Sequence, residues 1–173
     1  MQLRRLQKED LPKRVLWMNN PAVYTNMHFT LPITLEGTEK WYDNNVGNEK
    51  RADVVLVEDD EIVAFAGITN IDSTLRKGES YTFVSPNKQG EGIGTRARKM
   101  VLDFAFGELG LNKVFAYTNE DNIPSCKLSE KLGFKLEGRF RQEYVTMNGE
   151  LKDRLYYGLL KEEWVNEYKS LKQ

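Results

Sequence analysis

The sequence predicts an α+β fold built around one mixed sheet. Three observations carry this: two strong strand candidates, 54–57 and 62–68, meet at Asp59-Asp60; a strand, a glycine-rich turn and an amphipathic helix follow one another between Ser80 and Ala105; and two late strand candidates flank Asn148-Gly149. Tight turns join antiparallel neighbours, whereas a strand-helix-strand passage joins parallel ones, so the two patterns together imply a sheet of mixed direction.

Leu3 and Leu6 mark a short first strand. Glu9-Asp10-Leu11-Pro12 reads as a helix start, since proline in the first turn gives up no hydrogen bond, and this helix runs through Trp17 and Met18 to a stop at Asn19-Asn20-Pro21. A second helix is predicted from about Thr34, with Thr38, Trp41 and Tyr42 available for its inner side. Val54-Val55-Leu56-Val57 and the run from Ile62 to Ile68 are β-branched and apolar, and Asp59-Asp60 between them is a hairpin signal. Ser80 to Val84 reads as the next strand, ended by Ser85-Pro86-Asn87.

Beyond the glycine-rich turn, Ile93, Ala97, Met100, Val101, Phe104 and Ala105 recur at spacings of three and four, an apolar helix face able to cover a sheet. Lys113 to Thr118 supplies a strand, and a helix from about Ile123 to Leu132 ends at Gly133, which suits a left-handed cap. Phe140 to Thr146 and Leu151 to Leu159 flank Met147-Asn148-Gly149-Glu150, where Asn-Gly favours the mirror-image turn that matches strand twist. Glu162-Glu163-Trp164 with Tyr168 to Leu171 closes the sequence as a short amphipathic helix.

A chain of 173 residues with 40% hydrophobic and 29% charged residues fits one globular domain spanning 1–173. With a formal net charge of -1, no nucleic-acid binding is expected. The one cysteine, Cys126, has no internal disulfide partner, and one histidine, His28, leaves no Cys/His cluster for zinc, so no metal is expected. The opening Met1-Gln2-Leu3-Arg4-Arg5 is followed by no long apolar run, and no window approaches eighteen apolar residues; the expectation is a cytoplasmic protein without membrane association.

Gln89-Gly90-Glu91-Gly92-Ile93-Gly94-Thr95 is the most informative stretch. Alternating glycines let backbone approach a bulky anion, and the amides and dipole of a helix start favour phosphate. A Walker A loop would place Lys after the last glycine, but Thr95-Arg96 follows Gly94. Gly92-Ile93-Gly94-Thr95-Arg96-Ala97 does fit the permissive dinucleotide pattern; the strands before it are of hairpin type, however, and no clear ribose-binding acid closes the next strand about twenty residues on.

The sequence resembles the GNAT acetyltransferases, whose phosphate-binding pattern is matched by Gln89, Gly92 and Gly94. The resemblance continues through Asn122, before a helix that ends Glu130-Lys131-Leu132-Gly133-Phe134, and through Glu137-Gly138, the Asn-Gly hairpin, Asp153 and Leu159-Leu160. These later features are similar to the branch containing ribosomal-protein N-terminal, spermidine and amino-sugar acetyltransferases. The resemblance implies helices on both faces of a mostly antiparallel sheet and a V-shaped opening between the fourth and fifth strands, where acetyl-CoA enters as cosubstrate. It implies backbone pairing of the pantetheine arm with Phe83 and Val84, a pyrophosphate cradle of Gln89, Gly90, Gly92, Gly94 and Thr95, and coenzyme contact from Asn122, a residue that also suits a helix cap.

The implied reaction is direct attack of a primary amine on the thioester through a tetrahedral intermediate. The incoming ammonium must first lose a proton, and Glu79 at the start of the fourth strand is the leading base; a solvated strand-start glutamate is the alternative. Many members carry a tyrosine where this chain has Ser129, which could donate a proton, hold a water or merely bond its own helix backbone. Cys126 has no base in sight locally, so no acyl-enzyme is expected. Tyr24, Phe29, Trp41 and Tyr42 either line an acceptor pocket or pack helices. The acceptor is a small-molecule amine, polyamine or amino sugar, or a protein N-terminus; a homodimer is left open, and a noncatalytic acetyl-CoA sensor or scaffold is the functional alternative.

Overall fold

In the computed structural model, which describes residues 1–27, 30–146 and 148–170 (167–170 by backbone alone), the β-branched runs pair into a seven-stranded sheet. The strands are β1 (Gln2–Arg5), β2 (Ala52–Glu58), β3 (Glu61–Asp72), β4 (Lys77–Val84), β5 (Lys113–Asn119), β6 (Lys135–Val145) and β7 (Leu151–Leu160). Their order is β1-β2-β3-β4-β5-β7-β6. β1 with β2, β2 with β3, β5 with β7 and β6 with β7 run antiparallel, and β4 with β5 runs parallel. The sheet is therefore mixed and mostly antiparallel. It is flanked by α1 (Leu11–Met18), α2 (Pro21–Tyr24), α3 (Leu35–Asn45), α4 (Ile93–Gly107), α5 (Ile123–Lys131) and α6 (Lys161–Ser170).

The Asp59-Asp60 hairpin forms with both residues at positive φ, 51° and 61°, and Val57 pairs with Ile62 beyond it. Asn-Gly likewise turns between β6 and β7, with Gly149 at φ 82°. Thr34 caps α3, its hydroxyl accepting from Gly37 N at 3.1 Å. Gly133 follows α5 at φ 83°, the left-handed position expected of it. Three boundaries differ from the sequence reading. Pro21 opens the four-residue α2 rather than only closing α1, because Asn20 Oδ1 accepts from Ala22 N and starts a new turn. β4 begins at Lys77, held by parallel pairing of Lys77, Gly78 and Glu79 with Lys113, Val114 and Phe115. β6 begins at Lys135, because Lys135 already pairs with Gly158. His28, Phe29, Met147 and Leu171, and the Tyr168 side chain, lie outside the described residues.

The chain packs as two compact units, Met1–Thr69 with Tyr81–Val101 and Asn70–Ser80 with Leu102–Gln173. In the first, Leu11, Trp17 and Met18 of α1 pack with Val55, Phe65 and Phe83 of the strands. Trp17 meets Phe65 edge-on at 5.1 Å and Phe65 stacks on Phe83 at 5.4 Å. Burial of a side chain such as Phe65, fully enclosed here, is worth about 1.5–3 kcal/mol. Asp10, at the entry to α1, accepts from both Nη atoms of Arg4 at 2.7 and 2.8 Å and from Gln7 N at 2.8 Å, pinning the helix start to β1. In the second unit Val114, Ala116, Leu132, Tyr157 and Leu159 are buried, and Trp164 Nε1 donates to Asp103 Oδ1 at 2.8 Å.

Candidate active site

β4 leads through a 3-10 turn, Pro86–Lys88, into the glycine segment and α4. Gly90 and Gly92 stand at φ 85° and 75°, where an L side chain is strained, and a Cβ built on either would meet nothing within 4 Å. Space over the turn is thus open for a ligand. Arg96 N donates to Gly92 O at 3.2 Å and begins the helical ladder, so the amides of Ile93, Gly94 and Thr95 fall in the first turn, where helices lack internal partners. The buried Ile93 side chain anchors that turn, and Arg96 is held over Glu58 by two hydrogen bonds, Nη1 to Oε1 at 2.5 Å and Nη2 to Oε2 at 3.0 Å. Gln89 is exposed, its Nε2 donating to Ala22 O at 3.1 Å. A fifteen-residue helix with its positive end at an open glycine turn fits a pyrophosphate.

Phe83 and Val84 finish β4. Phe83 turns its ring into the core, which leaves its backbone as the part able to serve a ligand. Glu79 is half-buried on the same strand, and Asn70 Nδ2 donates to its Oε2 at 2.7 Å, orienting the carboxylate.

In the second unit Asn122 caps α5, its Oδ1 accepting from Ser125 N at 3.2 Å. Ser129, one turn further, has no exposure, and its hydroxyl donates to Ser125 O at 3.0 Å. Cys126 is buried beside Tyr157; burial pushes its thiol above the ordinary value, which disfavours the thiolate a nucleophile requires. Tyr157 is also shifted upward, first by burial, and donates to Glu130 Oε1 at 3.2 Å. Among the described residues no cluster of three His, Cys, Asp or Glu side chains could hold a metal ion, and no helix is long and apolar enough to cross a membrane.

A cavity of about 550 Å³ opens in the first unit between α1, α3 and the strands. Met18, Ile33, Trp41, Tyr81 and Phe83 give it an apolar wall, and Arg14 lies in that wall. Trp41 therefore lines the cavity; Tyr42 packs against the core with its hydroxyl on Leu6 O at 3.4 Å, and Tyr24 is not among the lining residues. Tyr81 donates to Asp53 Oδ1 at 2.5 Å, and Arg51 is paired with the same carboxylate at 2.6 Å. Burial pushes the Tyr81 hydroxyl well up, with Arg14 drawing it down and Asp53 raising it, so it stays protonated as a donor.

Arg14 was not singled out by the sequence reading. It is 6% exposed, its guanidinium lies 4.9 Å from the Trp41 ring centroid and 5.2 Å from that of Phe83, and its buried Nε and Nη1 have no hydrogen-bond partner among the described residues. A cation over a ring gains about 0.5–2 kcal/mol, whereas each unmade buried hydrogen bond costs about 1–3 kcal/mol. The rings therefore do not account for the two idle donors. The sequence did carry a signal: Arg14 falls three residues after Leu11 and three before Trp17, a cation on the buried stripe of α1.

Comparison with known proteins adds four findings. A profile described as "Acetyltransferase (GNAT) domain" matches residues 1–135. The chain is similar to the spermidine N(1)-acetyltransferase of Escherichia coli (strain K12), 26% identical over 171 residues, covering 98% of this chain and 91% of that protein. It is also similar to the uncharacterized N-acetyltransferase p20 of Bacillus licheniformis, 28% identical over 168 residues, covering 94% and 93%. In fold it matches the crystal structure of spermidine N-acetyltransferase from Vibrio cholerae in complex with CoA and spermine, with a TM-score of 0.91 at 22% identity, covering 95% of this chain and 98% of that one.

Proposed function

The chain belongs to the GNAT acetyltransferase family, and from that premise we propose that residues 1–173 act as one N-acetyltransferase domain that holds a small primary amine in the cavity walled by Tyr81 and Phe83. As a member it is an acetyl-CoA-dependent N-acetyltransferase acting on a primary amine. Acetyl-CoA supplies the activated acyl group as a thioester. The observation that carries the proposal is continuity along one strand: Phe83 lines the cavity, Val84 ends β4, and the open glycine turn and α4 follow within ten residues. An amine in that cavity lies beside the segment able to hold the coenzyme.

Gln89, Gly90, Gly92, Gly94 and Thr95 would take the pyrophosphate, a role supported by the two positive-φ glycines and the first-turn amides of α4. The backbone of Phe83 and Val84 would pair with the pantetheine arm, with Asn122 as a further coenzyme contact beside its capping bond. We assign Glu79 as the base that relieves the ammonium of its proton. The bond from Asn70, which fixes the carboxylate, supports that role. Ser129 is better read as a helix-packing residue, since its hydroxyl is already given to the Ser125 carbonyl.

The test is a free-thiol release assay with acetyl-CoA and a panel of polyamines, amino sugars, amino acids and peptide N-termini, with mass spectrometry of each product. Acetylation of a small amine is the expected result. Acetylation of peptides alone would overturn the small-acceptor reading.

A further inference from the structure

Arg14 stands in the wall of the acceptor cavity and is more than nine-tenths buried, so little water screens its charge. Its Nε and Nη1 are sealed within the packing. The groups around it do not cancel that charge. On α1 itself, Asp10 is spent on Arg4. α3 brings Thr34, Gly37, Thr38 and Trp41 to the lining, and β3 brings Thr69 to the lining and the Phe65 ring to the guanidinium, none of them ionised. β4 brings Phe83 and Tyr81, whose hydroxyl burial keeps protonated. Asp53 of β2 bonds the lining residues Arg51 and Tyr81, and Arg51 Nε and Nη2 take its two oxygens at 2.6 and 2.8 Å. Arg14, Arg51 and Asp53 thus sum to one positive charge, set among Met18, Ile33, Trp41 and Phe83.

An amine entering such a cavity meets the reverse of what stabilises an ammonium. Leaving water for an apolar wall disfavours a charged nitrogen, and a neighbouring like charge disfavours it again; a buried lysine in such surroundings loses its proton far more readily than a free one. The reaction requires that form. Only the free base has the lone pair that attacks the thioester, and an alkylammonium holds its proton about six pH units more tightly than a glutamate carboxylate. Transfer to Glu79 is therefore steeply uphill unless the ammonium is destabilised first.

We propose that the uncompensated charge of Arg14 makes the cavity bind the acceptor amine as its neutral free base and turn the ammonium away. This rests on the acetyltransferase reading and on the assignment of the cavity to the acceptor. One N–H bond of the ammonium breaks, its electron pair stays on nitrogen as the attacking lone pair, and the proton goes to water or to Glu79. Arg14 acts through its field across the wall, without a hydrogen bond to the substrate and without gaining or losing a proton.

The test uses the full chain and the fastest acceptor among hexylamine, phenethylamine and spermidine. Calorimetry of that amine into the CoA-loaded protein, run at one alkaline pH in two buffers of different ionisation enthalpy, counts the protons released on binding. At about pH 8 the wild type should release more than about half a proton per amine, and Arg14→Met and Arg14→Gln less than about half of the wild-type amount. In acetyl transfer the acidic limb of kcat, which reports the bound state, should move up by about one pH unit or more in both variants. Both variants should also bind the amine more tightly at that pH, because the ammonium is no longer repelled, whereas a merely structural lesion would weaken binding. Release below about half a proton by the wild type overturns the inference even where neither variant folds. Proton release and a kcat limb left in place by both substitutions overturn it as well. Acetyl transfer in those cases leaves the acetyltransferase reading standing; CoA binding without transfer to any of the three amines would instead remove the cavity as the acceptor's seat, and the inference would fall with that assignment.

Discussion

Gly67 of β3 and Tyr81 of β4 meet so closely that a Cβ on the glycine would stand 2.8 Å from Cε1 of the tyrosine ring and 2.6 Å from the Ala52 carbonyl oxygen. Gly67 thus leaves the room that the Tyr81 ring occupies where its hydroxyl reaches Asp53. Gly67→Ala should cost about 1–3 kcal/mol of stability, since one of the two obstructing atoms is backbone and cannot swing aside. It should also raise KM for the amine more than it lowers kcat. Urea unfolding together with steady-state kinetics measures both, and wild-type values in both would remove Tyr81 from the acceptor wall.

The glycine turn gives a separate expectation for the coenzyme. Gly94→Val adds a branched side chain to the first turn of α4, directly after the open turn at Gly92. Acetyl-CoA affinity should fall at least tenfold, while the fold persists, because valine in a helix costs at most about 0.7 kcal/mol relative to alanine and glycine about 1 kcal/mol, so the exchange does not weaken the helix itself. Calorimetry with thermal unfolding on the same samples decides it; unchanged affinity would count against the site.

Glu79→Gln conserves size and removes the basic carboxylate. Turnover should fall roughly 10²- to 10⁴-fold, with coenzyme affinity retained. Asn70→Ala, which deletes the bond orienting that carboxylate, should give a smaller loss of the same kind. A Glu79→Gln enzyme with the wild-type rate and pH profile would sink the assignment.

Ser129→Ala tests the opposite expectation. With its hydroxyl bonded to Ser125 O and fully enclosed, Ser129 should be dispensable for chemistry, and kcat should stay within about threefold of the wild type. A hundredfold loss in a stable variant would restore it as a proton donor.

Stability in acid should depend on Asp10. Burial alone would raise its pKa, but the bonds from Arg4 and from Gln7 N outweigh burial and hold it below the ordinary value. A depressed folded pKa stabilises the protein fully above the unfolded value of about 3.9, and that contribution is lost as pH falls through the folded pKa. Asp10→Asn should therefore lower Tm at pH 6 and narrow its gap to the wild type as pH drops below about 3.9. Melting curves from pH 6 to pH 2 read the difference, and a gap that does not close in acid would show that the pair acts otherwise.

Much of the fold was legible because its signals are local. Two aspartates between β-branched runs, Thr34 before an apolar-periodic stretch, Gly133 after a helix and Asn-Gly between strands each act through the dihedral angles and hydrogen bonds of a few neighbouring residues, and each did what that chemistry requires. The start of β4 at Lys77 was not legible, because it depends on pairing with Lys113 to Phe115, more than thirty residues away.

The glycine turn between strand and helix was likewise legible in the sequence, since a positive-φ turn at a helix start needs only the absence of side chains. Arg14 was decided by tertiary structure. In the sequence only its place on the stripe of Leu11 and Trp17 sets it apart from Lys13 beside it; the packing of α1 against β3, β4 and α3 is what surrounds it with Trp41, Phe65, Tyr81 and Phe83 and strips its donors of water. Whether a polar group is satisfied is a property of everything that closes around it, and that enclosure is assembled from segments that lie far apart along the chain.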